Sequence, residues 1–134
     1  MKYKFIEHTA DVGIEIYGSS LDELIENATA AFFDAFVFLD KVNTSAQISL
    51  KVEADSADYL LYKWLNELLY LLNVEFFVAK SVSVQVTNFK AKGILKGGKI
   101  KPELMKTEPK AITFHKFKVE RKNKNWFAFV IIDI

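Results

Sequence analysis

The 134-residue chain has no cysteine, only two prolines, five glycines and two histidines. Without cysteine there are no disulfide staples, thiolate zinc sites or thiol nucleophiles, and a reducing, cytoplasmic compartment is expected. The two histidines, His8 and His115, lie far apart in sequence and do not by themselves supply a zinc site. An excess of charge is also lacking. Eighteen Lys plus Arg face seventeen Asp plus Glu, a net charge of +1, so no global field recruits nucleic acid or a membrane surface, and any nucleic-acid role is expected to be local or indirect. No apolar run is long enough to span a bilayer: the richest, residues 59–74, is broken by Lys63, Asn66 and Glu67. The opening Met1-Lys2-Tyr3-Lys4-Phe5 lacks the apolar core of a signal peptide, and no export is expected. Walker, G-x-G-x-x-G and G-x-S-x-G motifs are absent, and Gly97-Gly98 precedes no helix that would cradle a phosphate.

What remains reads as a single domain over residues 1–134 with its own core. Ser20 and Glu23 form a capping box before an apolar arc containing Leu21, Leu24, Ile25, Ala28, Ala31, Phe32, Ala35 and Phe36. On this wheel Phe33 and Val37 project from the opposite side, to be covered by a loop or by another chain. A second helix, capped by Asp55 or Ser56, turns its leucines and Trp64 inward and leaves Lys63, Asn66, Glu67 and Asn73 in a solvent stripe. Elsewhere the period is two: Ile14 and Ile16; Ile48, Leu50 and Val52; Val82, Val84 and Val86. Residues 94–100 look like a loose hairpin, and Lys122-Asn123-Lys124-Asn125 turns one strand back into the last. The expected fold is α+β, two helices on one face of a largely antiparallel sheet. Aromatics are plentiful but mostly at core spacing, so they do not signal base stacking.

Polar groups gather in two places. Glu7, His8, Thr9, Ala10 and Asp11 occupy what reads as a short turn between strands, and Asp133 ends the strand Trp126–Ile134, where neither face is polar. Such a strand is central, or is buried by another subunit in a homo-oligomer. Asp133 either escapes by fraying or needs a partner. With the carboxylate on Ile134 next to it, a hard cation such as Ca²⁺ or Mg²⁺ becomes favourable if Asp11 is brought close. Asp11 alone is equally explained as a turn residue, and His8 as a structural hydrogen bonder. His115, with Ala111, Thr113, Phe117 and Val119 on one strand face, reads as a core histidine before it reads as a ligand. Lys110 follows Pro109, which fixes the chain's entry into that strand.

Four segments taken together carry a resemblance: Phe5-Ile6-Glu7-His8-Thr9-Ala10-Asp11-Val12-Gly13, the helix from Leu61 to Tyr70, Glu108-Pro109-Lys110-Ala111-Ile112-Thr113-Phe114-His115, and Val130-Ile131-Ile132-Asp133-Ile134. In this order, along the full chain, they resemble the archease family. The resemblance implies a non-enzymatic activator of an RtcB-type RNA ligase in tRNA splicing and RNA repair, one that promotes guanylylation and turnover of the ligase and meets nucleic acid only through it. It further implies a divalent cation, Ca²⁺ first with Mg²⁺ or Mn²⁺ as alternatives, held by Asp11, Asp133 and Ile134. Lys110 would act with the two aspartates on the partner, and Glu7, His8 and His115 would be supporting residues. The alternative it implies is a chaperone or modulator of a tRNA methyltransferase. Residues 97–105 depart from the family pattern, with glycine and methionine where an acidic residue and a histidine are usual. Two rival classes stand beside this reading: a metal-dependent hydrolase using His8 or His115 as base, and an interaction module binding clients through Phe33 and Val37.

Overall fold

Period-two patterning gives strands and the two apolar arcs give helices, in the order β1 (Tyr3–His8), β2 (Asp11–Gly18), α1 (Leu21–Phe36), β3 (Ala46–Glu53), α2 (Ala57–Asn73), β4 (Phe77–Thr87), β5 (Lys90–Lys99), β6 (Ala111–Lys122) and β7 (Asn125–Asp133). This computed structural model describes residues 1–8 and 11–134, the side chains of 7 and 8 excepted. The turn expected at Thr9-Ala10 and the side chains of Glu7 and His8 therefore lie outside the described residues. All pairings among the strands are antiparallel. The fold is α+β as expected, with the strands divided between two sheets: a first of order β1-β2-β7-β6 and a second of order β3-β5-β4.

Local chemistry sets the helix starts. Ser20 Oγ accepts from the Glu23 amide at 3.1 Å, while the Glu23 carboxylate reaches past Ser20 to the amide and hydroxyl of Ser19 at 3.1 and 3.2 Å. Ser56 caps α2 by accepting from the Tyr59 amide. Each such cap is worth about 1 kcal/mol. The last strand is central, between β2 and β6.

Both helices touch strands of both sheets and touch each other. For α1 the consequence is that more than one side is covered. Phe33 and Val37, expected on an outward face, are 0% exposed: Phe33 packs edge-on against Phe32, and Val37 bridges to Met105. The helical wheel assumes one covered side, whereas α1 is covered by β2 of one sheet and β4 of the other.

The α1–β4 contact is polar at its rim. Glu26 accepts from the Val84 amide and Asp22 from the Val86 amide, both at 2.9 Å. Four helix residues advance about 6 Å and two strand residues about 6.8 Å, so two carboxylates four apart match two amides two apart. Trp64 ties α2 to the rest: its Nε1–H donates to Thr29 Oγ1 at 2.8 Å, and the Thr29 hydroxyl donates to the Ile25 carbonyl at 2.8 Å. Its ring lies under β5, where a Cβ on Gly93 would come within 2.5 Å of it.

Two further expectations are corrected. Residues 94–100 form no hairpin; β5 runs straight through them, and the turn lies earlier, at Asn88 and Phe89 with φ of 50° and 57°. Gly97 and Gly98 are there because neighbours come too close for a side chain, the Val78 carbonyl at one and Asn43 at the other. In β6 the alternation breaks at a bulge between Thr113 and Lys118, with Lys116 at φ 57°. Ala111 and Thr113 therefore do not share a face with Val119, and His115 is exposed rather than in the core.

Candidate metal centre

The register of the first sheet does what sequence distance conceals. Asp11 opens β2 instead of sitting in a turn, and it pairs with Asp133 at the end of β7; His8 of β1 pairs with Asp11, and Ala111 of β6 pairs with Asp133. Four strands thus end in one row. Directly opposed residues project to the same face, so the two carboxylates meet on the side of β7 that carries Phe127, Phe129 and Ile131. The other side, Ala128, Val130 and Ile132, is 0% exposed and forms the core. On the outer side Phe127 packs on Tyr17 with ring centroids 5.3 Å apart.

The electrostatics follow from that register. The Asp133 carboxyl is held above the ordinary carboxylate value, first by a side-chain hydrogen bond with Asp11, then by partial desolvation and the charge of Asp11, with Lys110 pulling it down. A raised folded-state value means that stability from this group is present in acid and is lost as pH rises through its titration. Like charges opposed across a ladder are destabilising, and a cation between the two carboxylates would relieve their repulsion.

Lys110 is exposed, but its backbone is anchored on both sides. Its amide donates to the Asp133 carbonyl at 2.7 Å, and the carbonyl of buried Pro109 accepts from Asn73 Nδ2 at 2.8 Å. Asn73, expected in a solvent stripe, is thus a positioning residue that sequence reasoning missed; only the three-dimensional meeting of the α2 end with residue 109 reveals it. One row below the acid pair, Thr113 lies opposite Ile131, and its buried Oγ1 finds no hydrogen-bond partner among the described residues. Ile134 is half-buried with its side chain against the core.

The donors gathered here are oxygens: two carboxylates, with an unpartnered hydroxyl one row away. They fit a hard cation and not a soft one. Among the described residues no three His, Cys, Asp or Glu side chains converge, so the two aspartates alone would give a cation only part of its shell. His115 stands apart on the β6 bulge, exposed. Beside it Phe114 stacks on Phe117 and Tyr59 and meets Tyr62 edge-on, with centroids 4.9 to 5.3 Å apart. Phe114 is 44% exposed and Tyr59 50%. Core spacing did not foretell this surface cluster, because it assembles only where the bulge meets α2. Among the described residues no helix is long and apolar enough to cross a membrane.

Comparison with known proteins extends these observations. The profile of the archease protein family matches residues 3–134. A protein archease of Archaeoglobus fulgidus is 50% identical over 137 residues, covering 100% of both chains, and one of Pyrococcus furiosus is 38% identical over 140 residues, covering 99% of each. A solution structure of Methanobacterium thermoautotrophicum protein 1598 superposes with a TM-score of 0.84 at 30% identity, over 98% of both chains. The crystal structure of an archease from Thermotoga maritima, described as a possible chaperone, shares the fold with a TM-score of 0.68 at 24% identity, over 98% of this chain and 96% of that one.

Proposed function

The chain belongs to the archease family, and from that premise we propose that it activates an RtcB-type RNA ligase without catalysing a reaction of its own. The observation that carries this reading is the pairing of Asp11 with Asp133 across β2 and β7, with Lys110 hydrogen-bonded to the same Asp133 backbone. Asp11, Asp133 and the main-chain oxygen of Ile134 would hold a divalent cation, Ca²⁺ or its smaller relatives Mg²⁺ and Mn²⁺. When bound, such an ion supplies positive charge that offsets phosphate charge during nucleotidyl transfer. The chain's own residues do the rest. Asp133 and Asp11 fix where that charge sits, because both lie on paired strands and not on a free loop. Lys110 adds a second positive group at a set position, its backbone held by Asp133 on one side and through Pro109 by Asn73 on the other.

The test is ligase guanylylation with GTP, measured with the parent protein and with Asp11→Ala and Asp133→Ala proteins of unchanged circular dichroism. Loss of stimulation, on the order of the 10- to 100-fold typical of disrupted metal sites, is expected from both. Folded variants that stimulate as fully as the parent would overturn the reading.

A second reading, a chaperone or modulator of a tRNA methyltransferase, has one observation in its favour: the exposed cluster of Phe114 and Tyr59. Phe33 and Val37 cannot serve it, being buried. If a Phe114→Glu protein fails to hold a methyltransferase in solution while Asp11→Ala succeeds, the client-binding reading gains and the cation reading loses.

A further inference from the structure

The outer face of the second sheet carries a charge arrangement that folding alone does not explain. Lys51 of β3 lies directly opposite Lys92 of β5, and on the other side of Lys92 lies Gln85 of β4. Two residues on, Ile94 sits between Ser49 and Ser83, and two further on Lys96 sits between Gln47 and Ser81. Every one of these side chains is exposed. Like charges directly opposed across a ladder are destabilising. Among the described residues no carboxylate pairs with Lys51, Lys92 or Lys96; the nearest acid of this face, Glu53, is taken by Lys90 at 3.7 Å. The face is concave around its middle row, with a hollow of about 410 Å³ that has Leu50 and Gly93 at its floor and Ser49, Lys51, Gln85 and Lys92 among its lining residues.

We propose that this face binds the phosphodiester backbone of an RNA strand, through Lys51, Lys92 and Lys96 with the flanking serines and glutamines. The chemistry selects this occupant over others. Phosphate and sugar contacts are made by Lys, Ser, Thr and Gln side chains, the residue types this face presents. Protein interfaces are instead poor in Lys and Ser and are anchored by aromatics, and this array has none. A membrane surface is planar and would have to meet a hollow in which Ile94 is the one exposed apolar side chain among the lining residues, set between Ser49 and Ser83. The rows repeat every two residues, about 6.8 Å along the strands, so Lys92 and Lys96 present positive charge at two points on a line and suit an extended polyanion better than one small ion. With no aromatic platform for bases, binding is to backbone and is independent of sequence.

This inference shares no residue with the candidate metal centre, so each can fail without the other. The experiment is fluorescence anisotropy of a labelled, unstructured 20-nucleotide RNA titrated with the full chain at 50 to 200 mM salt. The comparison is with a Lys51→Gln/Lys92→Gln/Lys96→Gln protein and with a control lacking three exposed lysines elsewhere, Lys41→Gln/Lys122→Gln/Lys124→Gln. Because single strands release about 0.7 counterion per contact, parent affinity should fall roughly 20-fold more across that salt range than affinity of the sheet variant. The control should keep the parental slope. A single Lys92→Gln protein, checked by circular dichroism, repeats the test with the smallest change. No binding by the parent, equal slopes for parent and sheet variant, or equal competition by poly-glutamate would each overturn the proposal, the last by pointing to an acidic protein partner.

Discussion

On the outer face of the first sheet, two strands bring Asp11 against Asp133; on the outer face of the second, two strands bring Lys51 against Lys92. Both are like-charge pairs in direct register, one of each sign, and both sit over strands whose inner sides fill the same core. The net charge of +1 averages them away. The difference teaches that a neutral composition can hide two poles, and that register, which decides who faces whom, is where such poles become visible. On the proposed readings, the first face would collect positive charge at a point, at one strand end, and the second would collect negative charge along a line.

The strongest way to break the comparison is to fill the acidic pole. Ca²⁺ at a hundredfold excess over its Kd should raise stability by about 2.7 kcal/mol, on the order of 10 °C in Tm. Scanning calorimetry of an Asp133→Asn protein should show most of that rise gone, with RNA anisotropy unchanged. Next in size is damage to what the faces share. Thr29→Val leaves the buried Trp64 Nε1–H without its acceptor and should cost about 1–3 kcal/mol in urea denaturation, lowering stability without moving either pole's ligand response relative to folded protein. A smaller effect comes with alkali. The Tyr3 phenol is pushed up to about 12 by burial and by its hydrogen bond to Asp34. The folded chain thus keeps a proton that the unfolded chain releases near pH 10, and the stability this contributes is intact below pH 10 and lost on the way to 12. Tyr3→Phe should flatten that part of a Tm-against-pH curve. Smallest is Lys92→Gln, which removes a like-charge contact and should raise Tm at low salt, by a few tenths of a kcal/mol in stability, with the gain vanishing at high salt.

How far the sequence could be read follows from the range of the interactions involved. The caps at Ser20 and Ser56, the turn at Asn123 and the central place of the last strand are local signals, and each is found in the structure. Phe33 failed because a wheel cannot know that a helix has sheets on two sides. Gly97-Gly98 failed because glycine serves close approach as readily as it serves a turn, and taking it for a turn hid β5 and the lysine row with it. His115 failed because a bulge resets alternation without a sequence mark. The meeting of Asp11 with Asp133 is a matter of register across the whole chain; physical reading left it conditional, and the family resemblance supplied the expectation.

The grip of Asp22 and Glu26 on the Val84 and Val86 amides reaches beyond the monomer. A bare margin of sheet is an invitation for a neighbour's strand to dock and for growth to continue chain upon chain. Here a helix from the same molecule has already taken two of the amides on that margin, and in crowded solution the end of β4 around Val84 and Val86 offers that much less of a template.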